Sequence, residues 1–161
     1  MGKYSDHWIR QDVKFQNGDP LTAEDVAFSY NRMKDANIVG APAAVTWSTF
    51  LNKAEVIGDY QVRLHWNMMG SPVRTVNPFQ AVIVPKNYIE EVGFEEWANN
   101  PVLTGPMKVV DWERDIYIHF ERAFPEGHWY WGDVTNYDEL YIKAVPEAAT
   151  RLAMLKTGEL D

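Results

Sequence analysis

Residues 15–35 read FQNGDPLTAEDVAFSYNRMKD, a turn that runs straight into a helix carrying two adjacent carboxylates, Glu24 and Asp25, at its start. Gly18 and Pro20 supply the turn and deliver a strand, expected over Asp12 to Gln16, into the helix. Thr22 has the chemistry of an N-cap, Asp25 stands at the capping-box position three residues later, and Leu21 and Val26 occupy the two positions of a hydrophobic staple. Glu24 adds negative charge where the helix dipole is positive. Val26, Tyr30 and Met33 then follow a spacing of four and three, so a helix over 22–35 buries one face. Neighbouring helical residues point about 100° apart, so the two acids cannot converge on one bond. They begin a helix and are no catalytic pair.

Working outward, the Gly40–Pro42 break is followed by AAVTWSTFLNK at 43–53, a short helix presenting Trp47, Phe50 and Leu51. AEVIGDYQVRLHW reads as a hairpin turned at Gly58-Asp59, with Val62, Leu64 and Trp66 alternating on one side. GSPVRTVNPF is loop or irregular helix, and AVIVP is a short buried strand closed by Pro85. Residues 86–98 form two helical turns interrupted at Gly93. From Pro106 the pattern changes to strands: MKVVDWE, IYIHFER and DELYIKAV are rich in β-branched and aromatic residues, the first two joined by a polar turn at Glu113–Asp115. A long aromatic loop, FPEGHWYWGDVTNY, separates the second from the third. The last element, PEAATRLAMLKTG, is a helix with an apolar stripe of Ala148, Leu152 and Leu155 and Gly158 as its C-cap. The expected architecture is α+β, a mixed and mainly antiparallel sheet with peripheral helices, as a single domain over 1–161.

The chain has 161 residues, 46% of them apolar and 14% aromatic, which is enough material for a packed core. Its formal net charge of -8 repels phosphate backbones and anionic lipid, so nucleic acid and membrane surfaces are not expected partners. The absence of cysteine removes disulfides, thiolate nucleophiles and cysteine zinc sites. No apolar run has the length of a membrane helix, and MGKYSDHWIRQ lacks an apolar signal-peptide core. The opening DHWIRQDVKFQ reads as a strand under way, and LKTGELD as a helix end followed by a new element. The expectation is a piece excised from something longer.

Signatures of catalysis are missing. The histidines His7, His65, His119 and His128 show no i, i+4 pair and no HExxH, and neither a phosphate-binding glycine loop nor a G-x-S-x-G elbow occurs. The pairs Glu90-Glu91 and Glu95-Glu96 read as a solvated helix face. No metal or cofactor is expected. The unusual feature is the aromatic content, seven Trp, eight Tyr and seven Phe. Most of these rings fill a core, and Trp8, Trp66, Trp97 and Trp112 are assigned to core or interface. Trp47 and the 129–131 cluster are kept as candidate binding residues, because loops concentrate such residues.

Three blocks carry a family resemblance. VKFQNGDPLTAEDVAFSYNRMKD resembles the signature of the family 5 extracellular solute-binding proteins of ABC importers, the peptide and nickel class: a strand, an F-x-x-G-x-P turn, a T-A-E-D-V helix start and S-x-x-R. NPVLTGPMKVVDWE is similar to that family's G-T-G-P-Y segment, with Leu103 in place of Gly and Met107 in place of Tyr. YDELYIKAVPEAATRLAMLKTGELD matches its strand, proline, helix and G-E-[VIL]-D ending. The resemblance implies a non-enzymatic protein outside the cytoplasm, periplasmic or at the cell surface, that captures a peptide or similar solute between two lobes for an ABC permease. This chain would be a subdomain of the N-terminal lobe in a class II binding-protein fold. Trp47 and the segment around Asn77 and Phe79 are where the resemblance implies approach to a ligand, joined by Trp129 and Trp131 from the aromatic loop. An oligosaccharide ligand stays open on the tryptophan excess. A carboxylate-based hydrolase lacks two acids that converge, and self-association through a face left uncovered is a further expectation.

Overall fold

The structure is a computed structural model and describes residues 4–35, 37, 41–68, 81–128 and 136–160. It divides into two compact units, Met1–Gly105 and Pro106–Asp161.

The first unit is organised by a strand that alternates. In β3 (Gln61–Trp66), Val62, Leu64 and Trp66 are buried while Gln61, Arg63 and His65 are half-exposed, the period-2 pattern of a sheet with one dry face. It lies between β1 (Tyr4–Trp8) and β2 (Leu51–Gly58), antiparallel to both. The hairpin turns at Asp59–Tyr60, one residue later than Gly58-Asp59, because Gly58 still pairs with Gln61. On the wet face Arg63 donates two hydrogen bonds to Asp6 across the ladder, at 2.7 and 2.8 Å, and its guanidinium lies 4.1 Å from the Tyr4 ring centroid. Glu55 accepts from His65 at 2.9 Å and pairs with Lys53 at 3.1 Å. Cross-strand pairs of this kind hold the register that the dry face selects.

Against the dry face lies α1 (Ala23–Arg32), whose Ala23, Ala27 and Tyr30, with Met33 just beyond, fill the core. Small residues at 23 and 27 let the helix approach the sheet closely. Trp47 of α2 (Ala41–Phe50) meets the edge of Tyr30 at 5.6 Å and 83°. Asn31 ties α1 to the sheet: its amide accepts from Ala54 N–H at 2.8 Å and donates to Ala54 C=O at 2.9 Å, satisfying backbone groups of edge strand β2.

Two expected strands are absent. Asp12 to Gln16 forms an isolated bridge, Lys14 with Pro20, because the chain folds back within six residues: Phe15 N–H donates to Asp19 C=O and Leu21 N–H to Val13 C=O. Residues 81–85 form none, and within them Ser29 Oγ accepts from Val84 N–H at 2.9 Å, an amide that a sheet partner would otherwise take. Val84 is nonetheless fully buried, as the apolar run indicates. The helix interrupted at Gly93 is α3 (Lys86–Val92) followed by α4 (Phe94–Asn99), with Gly93 at φ 86°, ψ 158°, a conformation open essentially to glycine alone.

In the second unit β4 (Met107–Glu113), β5 (Tyr117–Arg122) and β6 (Glu139–Lys143) form an antiparallel sheet in that order. A bulge between Val109 and Asp111 keeps two faces chemically distinct. One face pairs Asp111, His119 and Tyr141, with the His119 and Tyr141 rings stacked at 4.1 Å. The other pairs Trp112, Ile118 and Ile142. α5 (Ala148–Thr157) ends at Gly158 in the left-handed conformation, as its sequence indicates, but Ala148, Leu152 and Leu155 of its apolar stripe are exposed. No described helix is long and apolar enough to cross a membrane.

Candidate functional site

The capping box at the start of α1 is complete. Asp25 N–H donates to Thr22 Oγ1 at 3.3 Å, and Asp25 Oδ2 accepts from Thr22 N–H at 2.8 Å and from Thr22 Oγ1 at 2.6 Å. The other oxygen, Oδ1, accepts from Lys86 N–H at 2.8 Å, in the first turn of α3. Pro85, the N-cap of α3, supplies no side-chain bond, so a carboxylate 61 residues earlier in the chain does that work. Asp25 is buried with its lone pairs engaged by donors, which leaves no free base. Glu24 points elsewhere, to Lys86 Nζ at 2.7 Å. That hydrogen bond, with the charge attraction behind it, holds the Glu24 carboxyl below its ordinary value and raises the Lys86 ammonium.

Beside this junction α1, α3, α4 and β2 line an open groove of about 700 Å³. Ala27, Phe28, Val56, Ile89 and Phe94 give it apolar walls, and Glu24, Arg32 and Lys86 bring charge to it. The Arg32 guanidinium carbon sits 4.2 Å from the Phe94 ring centroid and 5.6 Å from that of Trp97, a cation held over two aromatic faces. The two rings are 5.4 Å apart, as i, i+3 residues of one helix are. Burial pulls the Arg32 guanidinium below its usual value, although not enough to discharge it. In the sequence Arg32 shows only as the end of S-x-x-R, and the i, i+3 spacing of Phe94 and Trp97 is the one signal of an aromatic pair on a helix face.

Of the sequence-derived candidates, Trp47 is 3% exposed and packs in the core against Tyr30, with no free face in this chain. Asn77, Phe79, Trp129 and Trp131 lie outside the described residues. The tryptophans assigned to core or interface divide: Trp66 is buried and donates from Nε1 to Ser5 Oγ at 2.9 Å, whereas Trp8 is 76% exposed. Trp97 is half-buried and donates to Val102 C=O at 3.2 Å, and Trp112 stands on the open sheet face. The histidines go separate ways: His7 to Ser5, His65 to Glu55, His119 to the Tyr141 ring, His128 to the edge of Phe124. No group of three His, Cys, Asp or Glu side chains among the described residues is placed to hold a metal.

Two of the three blocks that carried the resemblance meet in space within the first unit. Gln16 N–H donates to Leu103 C=O at 2.9 Å, and its side chain bridges Leu103 N–H and Gly105 C=O at 3.2 and 3.0 Å. A glutamine in the F-x-x-G-x-P turn thus zips to the segment where Leu103 replaces glycine.

Comparison with known proteins agrees with this arrangement. The family described as bacterial extracellular solute-binding proteins, family 5 Middle, matches residues 8–161. The oligopeptide-binding protein AppA of Bacillus subtilis is 27% identical over 95% of this chain and 28% of its own length. A probable peptide-binding protein, YejA of Agrobacterium fabrum, is 29% identical over 80% of this chain and 21% of its own. Among solved structures, NikZ of Campylobacter jejuni in complex with Ni(L-His) superposes with a TM-score of 0.82 at 25% identity, covering 99% of this chain and 31% of that one. AppA of Bacillus subtilis in complex with a nonapeptide gives 0.79 at 26% identity, over 99% and 32%. The chain therefore spans about a third or less of the length of these relatives. The family is one of solute-binding proteins, and the fold is the mixed helix and antiparallel sheet that the sequence indicates. The chain belongs to the bacterial extracellular solute-binding proteins of family 5.

Proposed function

We propose that this chain is part of the N-terminal lobe of a solute-binding protein of an ABC importer, and that the whole protein captures peptides outside the cytoplasm and delivers them to a membrane permease. The observation that carries this reading is the likeness over 99% of the chain to a binding protein solved with a nonapeptide. Relatives named for oligopeptide and peptide binding support the choice of ligand. The open apolar face of Trp112, Ile118 and Ile142 supports the assignment to a larger lobe, since exposed apolar patches mark surfaces that another element covers. Within this chain Asn77, Phe79, Trp129 and Trp131 are the proposed ligand contacts. Trp47 serves the core, so its replacement costs stability before selectivity.

The test is a thermal-shift screen on the full-length gene product against peptides of graded length, with xylo-oligosaccharides and Ni(L-His) in parallel. A ligand that binds only the folded state raises the melting temperature by mass action. Stabilisation by peptides alone supports the reading. Stabilisation by a sugar or by Ni(L-His), with peptides inert, overturns it.

A further inference from the structure

Arg32 stands out among the described arginines of the first unit. Lys86 is paired with Glu24, Arg63 with Asp6, Lys53 with Glu55 and Arg10 with Asp12. Arg32 has no ion pair among the described residues, and its Nε is buried without a hydrogen-bond acceptor. The acids of the same groove do not serve it: Glu24 is held by Lys86 Nζ, and Asp35 accepts from Asn37 N–H at 2.9 Å. The planar guanidinium is already oriented by the Phe94 and Trp97 rings, so its fork is presented without further loss of side-chain freedom. The space beside it, about 700 Å³, falls in the range of small-molecule sites, roughly 300–1,000 Å³. Its walls are Phe28, Val56, Ile89 and Phe94.

We propose that this groove is a binding site for an apolar carboxylate, whose carboxyl group pairs with Arg32 while its aliphatic or aromatic body lies against Phe28, Ile89 and Phe94. The chemistry is shared by free aryl-alkanoic acids and by a peptide that ends in an apolar residue. The inference rests on the first unit alone and holds whatever the whole protein transports.

The experiment is a titration of the 161-residue chain, followed by heteronuclear NMR, with 3-phenylpropionate, with its amide, with Gly-Gly-Phe and with Gly-Gly-Phe amide. The expected result is saturable binding of the two acids at about millimolar concentration or tighter. Shifts should centre on Arg32 and Phe94 signals, with affinity at least about tenfold lower for each amide, the loss expected when a charged hydrogen bond goes. Rising salt weakens the acids and leaves the amides unchanged. Whichever acid binds tighter identifies the source. Arg32→Met abolishes the difference between acid and amide, and Arg32→Lys retains part of it. Equal binding of acid and amide by the unaltered chain overturns the proposal without reliance on any variant, as does no saturable binding of either acid at about 10 mM.

Discussion

The two units of this chain are built from similar parts and solve opposite problems. Each has a three-stranded antiparallel sheet with one polar and one apolar face. In the first unit the apolar face is covered by α1 and α2, and every buried apolar side chain among the described residues belongs to that unit, from Val13 to Ile89. In the second unit the corresponding face leaves Trp112 40% and Ile142 53% exposed. Identical alternation in sequence thus yields a core in one place and an open surface in the other. What separates them is whether a helix with small residues, as at Ala23 and Ala27, lies against the face. The first unit encloses a core of its own, and the second leaves its apolar face open.

The sharpest way to break this comparison is one truncation in each sheet. Leu64→Ala, at a site 1% exposed, should lower the denaturant-derived stability by about 2–5 kcal/mol. Ile142→Ala should change it by roughly 0.5 kcal/mol or less, as exposed sites do. Equal effects would mean that the second face is covered in solution. Native-state hydrogen exchange checks the same contrast without mutation: β3 amides should exchange more slowly than those of β6.

Next in size is Asp25→Ala, which removes the cap of α1 and the acceptor for Lys86 N–H together. A loss of about 1–3 kcal/mol is expected in thermal or chemical unfolding, with Asp25→Asn milder because its carbonyl can still accept. A neutral outcome would show that the start of α3 needs no borrowed cap. Gly93→Ala forces a Cβ into a backbone conformation that costs about 1–3 kcal/mol, although nothing crowds the site. It should loosen the α3–α4 corner and, with it, the seat of Phe94.

Acid sensitivity should be concentrated in the first unit's ion pairs. The Arg63 hydrogen bonds hold Asp6 below its ordinary value of 3.8, and Lys86 holds Glu24 below 4.5. In that window the unfolded chain binds more protons than the folded one, so stability rises with pH there. The contribution is complete above the ordinary values and is lost as pH falls through the lowered ones. Asp6→Asn should flatten the fall in stability below about pH 4, measured by denaturation across an acid series, and an unchanged slope would exclude this pair as a source. The smallest effect on stability is expected from Ile142→Lys. It should reduce apolar-dye binding and any self-association through the open face while leaving unfolding almost unmoved.

Local chemistry was legible in the sequence wherever neighbours in the chain decide the outcome. The capping box of Thr22 and Asp25, the Val62–Leu64–Trp66 alternation, the Gly93 break and the Gly158 cap all appear as their residues indicate. Each depends on φ/ψ preference or on contacts within four residues. The family, too, followed from local blocks, because turn and cap chemistry repeats with the fold. The tertiary structure decided what the backbone amides and apolar faces would meet. No strand forms at 12–16 or 81–85, where a chain reversal and the Ser29 hydroxyl take hydrogen-bonding groups that a strand requires. Trp47 went to the core, while Leu152 and Leu155 stayed outside, because periodicity says that a face is apolar without saying what lies against it. Asp25 capping a second helix 61 residues away, and Arg32 set over Phe94 and Trp97 beside an open groove, are products of long-range packing. The residue types were in the sequence from the start, and only the fold supplied their partners.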